Sequence, residues 1–362
     1  MPAGQVFVLK NSLNTTRKSP WSFAKLITRT LRRHFDAEVL ASYQQILDLG
    51  DDEDEAEGGS TAAFPIHDAV CARGAPDNRP LSTVQDALRD NPRAVNVLDS
   101  TQMSPMHLAA ILDDVDVLGL LLAWGADPDI TGQEGITPLL SAMTTPAPRA
   151  ARFLIENGAD VNRRSRAGRS CLDYSISRTD VPVELTGLLI SHGAALVRTS
   201  PTTNPLHDLR SCFVDPEEAA ATTQKLRLLL DAGLHVDAPN GAGASPLLTS
   251  VEWDGAGSVK ALLQHGASAE FVAPDGRGLL HYAAQYARKD TMGVLMAYPD
   301  IRGLDLELRS SEGMTAAEYF ERRLNPPEDA KSMVTPVDDE DAEAWRSLLD
   351  MVRSGSYEDF DD

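Results

Sequence analysis

From residue 64 onward, apolar and polar positions alternate in blocks that recur along the chain. Each block opens with a turn and a Ser/Thr-Pro pair. A short apolar stretch rich in Ala follows, then a second stretch built on paired leucines, then Gly-Ala. In one copy Ser104-Pro105-Met106-His107-Leu108-Ala109-Ala110 leads to Leu121-Leu122-Ala123-Trp124-Gly125-Ala126-Asp127. The next opens at Thr137-Pro138-Leu139 and closes at Asn157-Gly158-Ala159-Asp160-Val161-Asn162. Pro105 to Pro138 is 33 residues, and Gly125 to Gly158 is again 33. A fixed period of that size predicts a stack of two-helix units, each burying its apolar face on its neighbours.

The parts of the block have separate physical jobs. Glycine ahead of Ser/Thr-Pro permits a turn with positive φ. The Ser or Thr hydroxyl accepts from the first helical amides, and Pro fits a first turn whose N–H has no partner. Paired Ala on the first helix allows close approach of the next unit. The paired Leu form the buried stripe of the second helix, contributing roughly 1.5–3 kcal/mol per side chain. The closing Gly ends that helix in a left-handed conformation.

Read in order, a weak first copy opens at Phe64-Pro65-Ile66-His67. Two regular copies follow, at 103–134 and 135–167. The third, 168–196, has Cys171-Leu172-Asp173 where Pro and His would stand. The fourth opens at Asn204-Pro205-Leu206-His207, and Asp215-Pro216-Glu217-Glu218 predicts an unusually long second helix over about 216–232. The fifth opens at Ser245-Pro246-Leu247, the sixth at Gly278-Leu279-Leu280-His281, and a terminal unit at Gly313-Met314-Thr315. Flanking segments differ in charge. The first 35 residues carry seven basic side chains and no acid, and Phe23, Ile27, Leu31 and Phe35 share one helical face. Residues 51–57 hold six carboxylates, a solvated linker. The expected organisation is a basic extension with an amphipathic helix at 1–50, an acidic linker at 51–60, the repeat array at 61–325, and a capping helix with an acidic tail at 326–362.

Composition narrows the functional classes. A formal charge of −21 over 362 residues disfavours nucleic acid as a partner. Cys71, Cys171 and Cys212 make no complete disulfide set and no metal-ligand spacing, which fits a reducing intracellular compartment, cytoplasm or nucleus. The basic start also fits a mitochondrial import signal or a membrane-surface helix, although its apolar pattern continues through Leu47 as in an ordinary docked helix. No apolar run is long enough to span a membrane. Zinc-protease, paired-cysteine and phosphate-loop patterns are missing, so neither catalysis nor a cofactor or metal is expected.

The period, the Pro-Leu-His pattern and the Leu-Leu-x-x-Gly-Ala-Asp closure together make the chain resemble the ankyrin-repeat family over about 64–320. The resemblance implies an all-α, α-solenoid fold of stacked helix-turn-helix repeats joined by hairpin-like turns. It also implies that His107, His207, His281 and, less closely, His67 bond neighbouring backbone, beside the helix-opening Pro105, Pro138, Pro205 and Pro246. Leu140, Asp173 and Leu248 stand at the equivalent places, so those repeats lack the tie.

The resemblance further implies a non-catalytic protein-interaction module, a monomeric scaffold or adaptor, binding through hairpin tips and the concave face of the first helices. Aromatic side chains are enriched at binding hot spots, which singles out Tyr174, Trp253, Tyr282 and Tyr286 on first-helix positions; the bland alternative is packing between repeats. Arg163, Arg164, Arg166 and Arg169 crowd one turn, pointing to an acidic or phosphorylated partner. A solvated turn, or one that holds the chain's own acidic linker or tail, is the alternative. A different-class reading is a regulatory adaptor that recruits targets to a ubiquitin ligase or transcription complex, docked through the 20–49 helix, though no F-box-like or SOCS-like pattern accompanies it.

Overall fold

The computed structural model describes residues 64–74, 80–196, 204–209, 216–326 and 337–355. The expected basic helix, the acidic linker, Cys212 and the acidic tail beyond 355 lie outside them. Every regular element among the described residues is helical, as the repeat pattern requires. The chain divides into two compact units between Cys171 and Leu172, taken separately below.

In the first unit the helices come in pairs: α1 (Pro65–Arg73) with α2 (Leu81–Asp90), α3 (Pro105–Ile111) with α4 (Val115–Ala123), and α5 (Pro138–Thr144) with α6 (Pro148–Glu156). First helices pack on first helices, α1 on α3 on α5, and second helices form a parallel layer, α2 on α4 on α6. The cause is in the sequence. Ala109 and Ala110 are fully buried and bring α3 close to its neighbours, while Val117, Leu118 and Leu121 of α4 and Leu154 and Ile155 of α6 fill the space between layers. Ser104 and Thr137 cap their helices as the motif predicts, accepting from the amides of His107 (3.3 Å) and Leu140 (3.2 Å). Gly125 and Gly158 follow the second helices with φ of 82° and 87°, the left-handed turn a side chain would strain.

The second unit continues the same logic with two departures. Its helices are α7 (Cys171–Ser177), α8 (Val183–Ser191), α9 (Pro216–Asp231), α10 (Pro246–Glu252), α11 (Ala256–Gln264), α12 (Leu279–Tyr286), α13 (Lys289–Met296), α14 (Ala316–Leu324) and α15 (Asp339–Gly355). The second-helix layer runs α8, α9, α11, α13, and α15 takes the next place against α13. In the fourth repeat the described part of the first element is only a 3₁₀ turn, Pro205–Asp208, while α9 extends to 16 residues. After α13 the sixth repeat closes through a second 3₁₀ turn, Pro299–Gly303, with Ile301 buried in place of the Gly-Ala closure. The Phe320 and Trp345 rings stack at 5.0 Å and dock α15 on α14.

Two buried cations in this unit each hold the end of a preceding first helix. Lys225 of α9 donates to the carbonyls of Ser175 (2.7 Å) and Arg178 (2.6 Å) at the end of α7. Arg323 of α14 donates to those of Ala284 (3.3 Å) and Ala287 (2.8 Å) at the end of α12. The last carbonyls of a helix lack intrahelical partners and carry its negative dipole end, so a cation suits them. Burial pushes the Lys225 amine down to about 8. Aspartates do the reverse job at helix starts: Asp113 accepts from the Ala150 amide (2.6 Å), and Asp254 from that of Arg288 (2.9 Å). Both aspartates sit at positive φ, 55° and 54°, in the turn between a repeat's two helices.

Candidate functional site

The motif histidines are interior. His107 is 1% exposed. Its Nε2 lies 2.9 Å from the Ile136 carbonyl, and its Nδ1 faces the Ser104 amide at 3.1 Å. A carbonyl only accepts, so Nε2 carries the proton and Nδ1 accepts. His67 reaches the Met103 carbonyl (3.0 Å), His207 that of Ala238 (2.9 Å) and His281 that of Met314 (3.1 Å). Each ring thus spans from one repeat to the turn of the next. Ser104 Oγ lies 2.8 Å from His107 Nδ1 and Thr249 Oγ1 2.9 Å from His207 Nδ1, and all four residues are buried. Among the described residues no group of three or more His, Cys, Asp or Glu is placed to hold a metal ion.

Burial keeps these rings neutral: His67, His107 and His281 are all held below the ordinary histidine value, chiefly by desolvation. The unfolded chain therefore binds more protons than the native one below about pH 6.5, and stability falls as pH drops through the window from that value to the depressed native ones. The urea midpoint is expected to be lower at mildly acid pH than at neutral pH. Equal midpoints would show that the rings do not resist protonation.

The arginine turn lies at the end of the first unit. Arg163 and Arg166 are exposed; Arg164 and Arg169 are half-buried. Arg163 stands 3.4 Å from Asp160 and Arg166 stands 3.8 Å from Glu134, while Arg164 donates to the Gly168 carbonyl at 2.8 Å. The Arg166 amide also donates to the Glu134 carbonyl at 2.7 Å, joining this turn to the preceding one. Solvated pairs of this kind contribute about 0–1 kcal/mol each, so the exposed guanidinium groups exchange such partners at little cost.

In the second unit the structure separates the four aromatic candidates. Tyr282 is 4% exposed, so it is not a surface contact. Its place, one residue after the motif histidine, faces the neighbouring first helix, as the buried Leu108, Ser141 and Thr249 do in their repeats. Four residues further along, the side chains emerge. Trp253, at the end of α10, is 52% exposed, and Tyr286, at the same place on α12, is partly exposed. Tyr174 on α7 is half-buried.

Arg277 organises this surface. Its guanidinium donates to Asp275 (2.7 Å) and Gln285 (3.1 Å) and lies 4.7 Å from the centre of the Tyr282 ring. Tyr282 in turn contacts Tyr286, ring centres 6.1 Å apart. Burial works against the Arg277 charge, but the bonds to Asp275 more than offset it and hold the group above its ordinary value. Sequence reasoning missed Arg277. Its signal was a cation at the Asp-x-Arg turn ahead of Tyr282 and Tyr286, readable only once turn and helix are folded together.

Comparison with known proteins bears on the origin of this arrangement. Residues 66–165 match the family model for ankyrin repeats, in three copies. The chain carries ankyrin repeats. It is 27% identical over 270 residues to the ankyrin repeat domain-containing protein SAT10 of Stachybotrys chartarum, covering 74% of this chain and 13% of that one. Over 149 residues it is 32% identical to the nuclear factor NF-kappa-B p105 subunit of Gallus gallus, covering 40% of this chain and 14% of the relative. The chain therefore spans only a small part of the curated relatives it matches. The solved human ASB11 ankyrin repeat domain shares the fold, with a TM-score of 0.52 and 21% identity over 68% of this chain and 98% of that one. Ankyrin repeats are generally protein–protein interaction modules, and typically non-catalytic. No helix among the described residues is long and apolar enough to cross a membrane.

Proposed function

We propose that this ankyrin array is a non-catalytic scaffold or adaptor that binds a protein through exposed aromatic and arginine side chains. The observation that carries this reading is Trp253. An indole 52% exposed at the end of a first helix, with the partly exposed Tyr286 at the same place on the next, offers aromatic surface to a partner. Hot spots are enriched in Trp, Tyr and Arg, and a preformed surface loses little freedom on binding. Tyr282 and Arg277 support that surface from beneath. The exposed Arg163 and Arg166, with Arg164 and Arg169, form a second surface in the first unit, suited to a carboxylate or phosphate on a partner.

Affinity capture with the full chain tests the reading. Trp253→Ala with Tyr286→Ala is expected to lose the proteins captured by the native chain while leaving the urea unfolding curve in place. Replacing the four arginines by Ala reports separately on the first unit. Unchanged capture by both variants would end the proposal for both surfaces.

A further inference from the structure

In the first unit the turn that follows α4 presents an exposed hydroxyl, Thr131, ahead of Gly132-Gln133-Glu134. Asp127 and Asp129 precede it. A kinase needs its acceptor hydroxyl on an accessible, non-helical segment, and one selective for acidic sequences reads a carboxylate three positions on. Among the described residues that spacing also occurs at Thr83, Ser170, Ser177, Thr249, Thr315 and Ser347. Ser170, Thr249 and Thr315 are buried, and Thr83, Ser177 and Ser347 lie within helices. Of the seven, Thr131 alone is both exposed and outside a helix.

The next turn supplies cations. Thr131 and Arg164 are 33 residues apart, one period, so they hold the same place in successive turns. The two turns are joined on either side of Thr131. The Asp129 carboxylate accepts from the Asp160 amide at 2.8 Å, and the Glu134 carbonyl from the Arg166 amide at 2.7 Å. Arg163 and Arg166 pair with Asp160 and Glu134, and all four side chains are at least 46% exposed. Such pairs exchange at little cost. A phosphate brings close to two charges and three acceptor oxygens, and guanidinium forks suit it. Asp99, Asp127, Asp129, Glu134 and Asp160 oppose the added charge. Arg163, Arg166, Arg169 and Arg164, the last while donating to the Gly168 carbonyl, favour it.

We infer that Thr131 is a phosphorylation site for an acid-directed kinase, and that its phosphate is held by Arg163 and Arg166 of the next turn. In the transfer, Thr131 Oγ1 bonds to the γ-phosphorus of a nucleoside triphosphate and the bond from that phosphorus to the bridging oxygen breaks. The hydroxyl proton passes to the kinase's carboxylate base, and the nucleoside diphosphate leaves. The product adds a charge-assisted contact between two successive turns, whether or not the arginines also meet a partner.

The test treats the full chain with casein kinase II and magnesium ATP and locates phosphate by mass spectrometry of proteolytic peptides. Incorporation at Thr131 is expected, and Thr131→Val removes it. Glu134→Gln keeps the volume but drops the charge that the kinase reads, and should slow incorporation about tenfold or more, as loss of a charged hydrogen bond does. The phosphorus-31 resonance of the product, assigned by its loss in Thr131→Val, is then titrated at about 0.15 M salt, where distant charges are screened. A solvated phosphothreonine titrates near about pH 6. Neighbouring cations favour the dianion, so the midpoint should lie about half a unit or more below that of the phosphorylated chain carrying Arg163→Ala and Arg166→Ala. Three results overturn the inference. Phosphate found only elsewhere, or nowhere, removes the site. Incorporation unchanged by Glu134→Gln removes the acid-directed recognition. Equal midpoints with and without the two arginines remove the contact between the turns.

Discussion

Arg323→Met is expected to destabilise the second unit by about 3–5 kcal/mol, the cost of removing one member of a buried ionic group. Arg323 is 4% exposed and donates to two carbonyls at the end of α12. The negative charges of Asp341 and Asp254 favour its protonated form, while burial opposes it. Asp341 is itself 2% exposed and accepts from the Lys289 amide at 2.8 Å. Without the guanidinium, two carbonyls lose a donor and two carboxylates face each other with less compensation. Methionine fills the volume and supplies none of the charge. The loss is read from urea unfolding, and Asp341→Asn in the same chain should recover part of it, because the uncompensated carboxylate is then gone. A cost under about 1 kcal/mol would mean that the cluster is solvated, as surface pairs are.

His107→Ala is expected to cost about 2–4 kcal/mol in the first unit, since it strands one buried donor at about 1–3 kcal/mol and removes a second hydrogen bond worth about 0.5–1.5 kcal/mol. The stranded donor is the Ser104 amide, which faces Nδ1; the second bond runs from Nε2 to the Ile136 carbonyl, which keeps the Gly132 amide as a donor. His107→Gln, able to reach one of the two, should fall between Ala and the native residue. His107→Leu places here the residue that stands natively as Leu140 and Leu248, both fully packed. It should restore volume while leaving the Ser104 amide unserved. If all three variants unfold at the native urea concentration, the ring is filler and no tie exists.

Much of the architecture was legible because its signals are conformational specialists. Pro105, Pro138 and Pro246 each open a helix, and Gly125, Gly158, Gly193 and Gly266 each stand at positive φ after one. These residues are tolerated at few backbone geometries, so their spacing carries the fold by itself. The polar interior was hidden for the opposite reason. Lys225 and Arg323 read in a sequence as solvated charges; their burial depends on helix ends that lie 36 to 50 residues earlier in the chain. Among the candidate contacts, Tyr282 misled because its place in the motif looks variable yet points at the next helix. Trp253 and Tyr286, one helical turn beyond that place, were readable as outward.

The histidine bridges also bear on how the molecule breathes. His67 and His107 link three successive repeats of the first unit, while in the second unit His207 joins the fourth repeat to the fifth and His281 joins the sixth to the terminal one. Opening any one repeat in such a run breaks a bond belonging to its neighbour, so the run opens together. Between the fifth and sixth repeats Leu248 takes the histidine's place, and the bonds across the joint, Arg288 amide to Asp254 and Tyr298 hydroxyl to the Lys260 carbonyl, are exposed. The smallest piece that exchanges its amides in a single event is therefore a histidine-tied block of two or three repeats, and the joint without a buried histidine bridge is where partial opening begins.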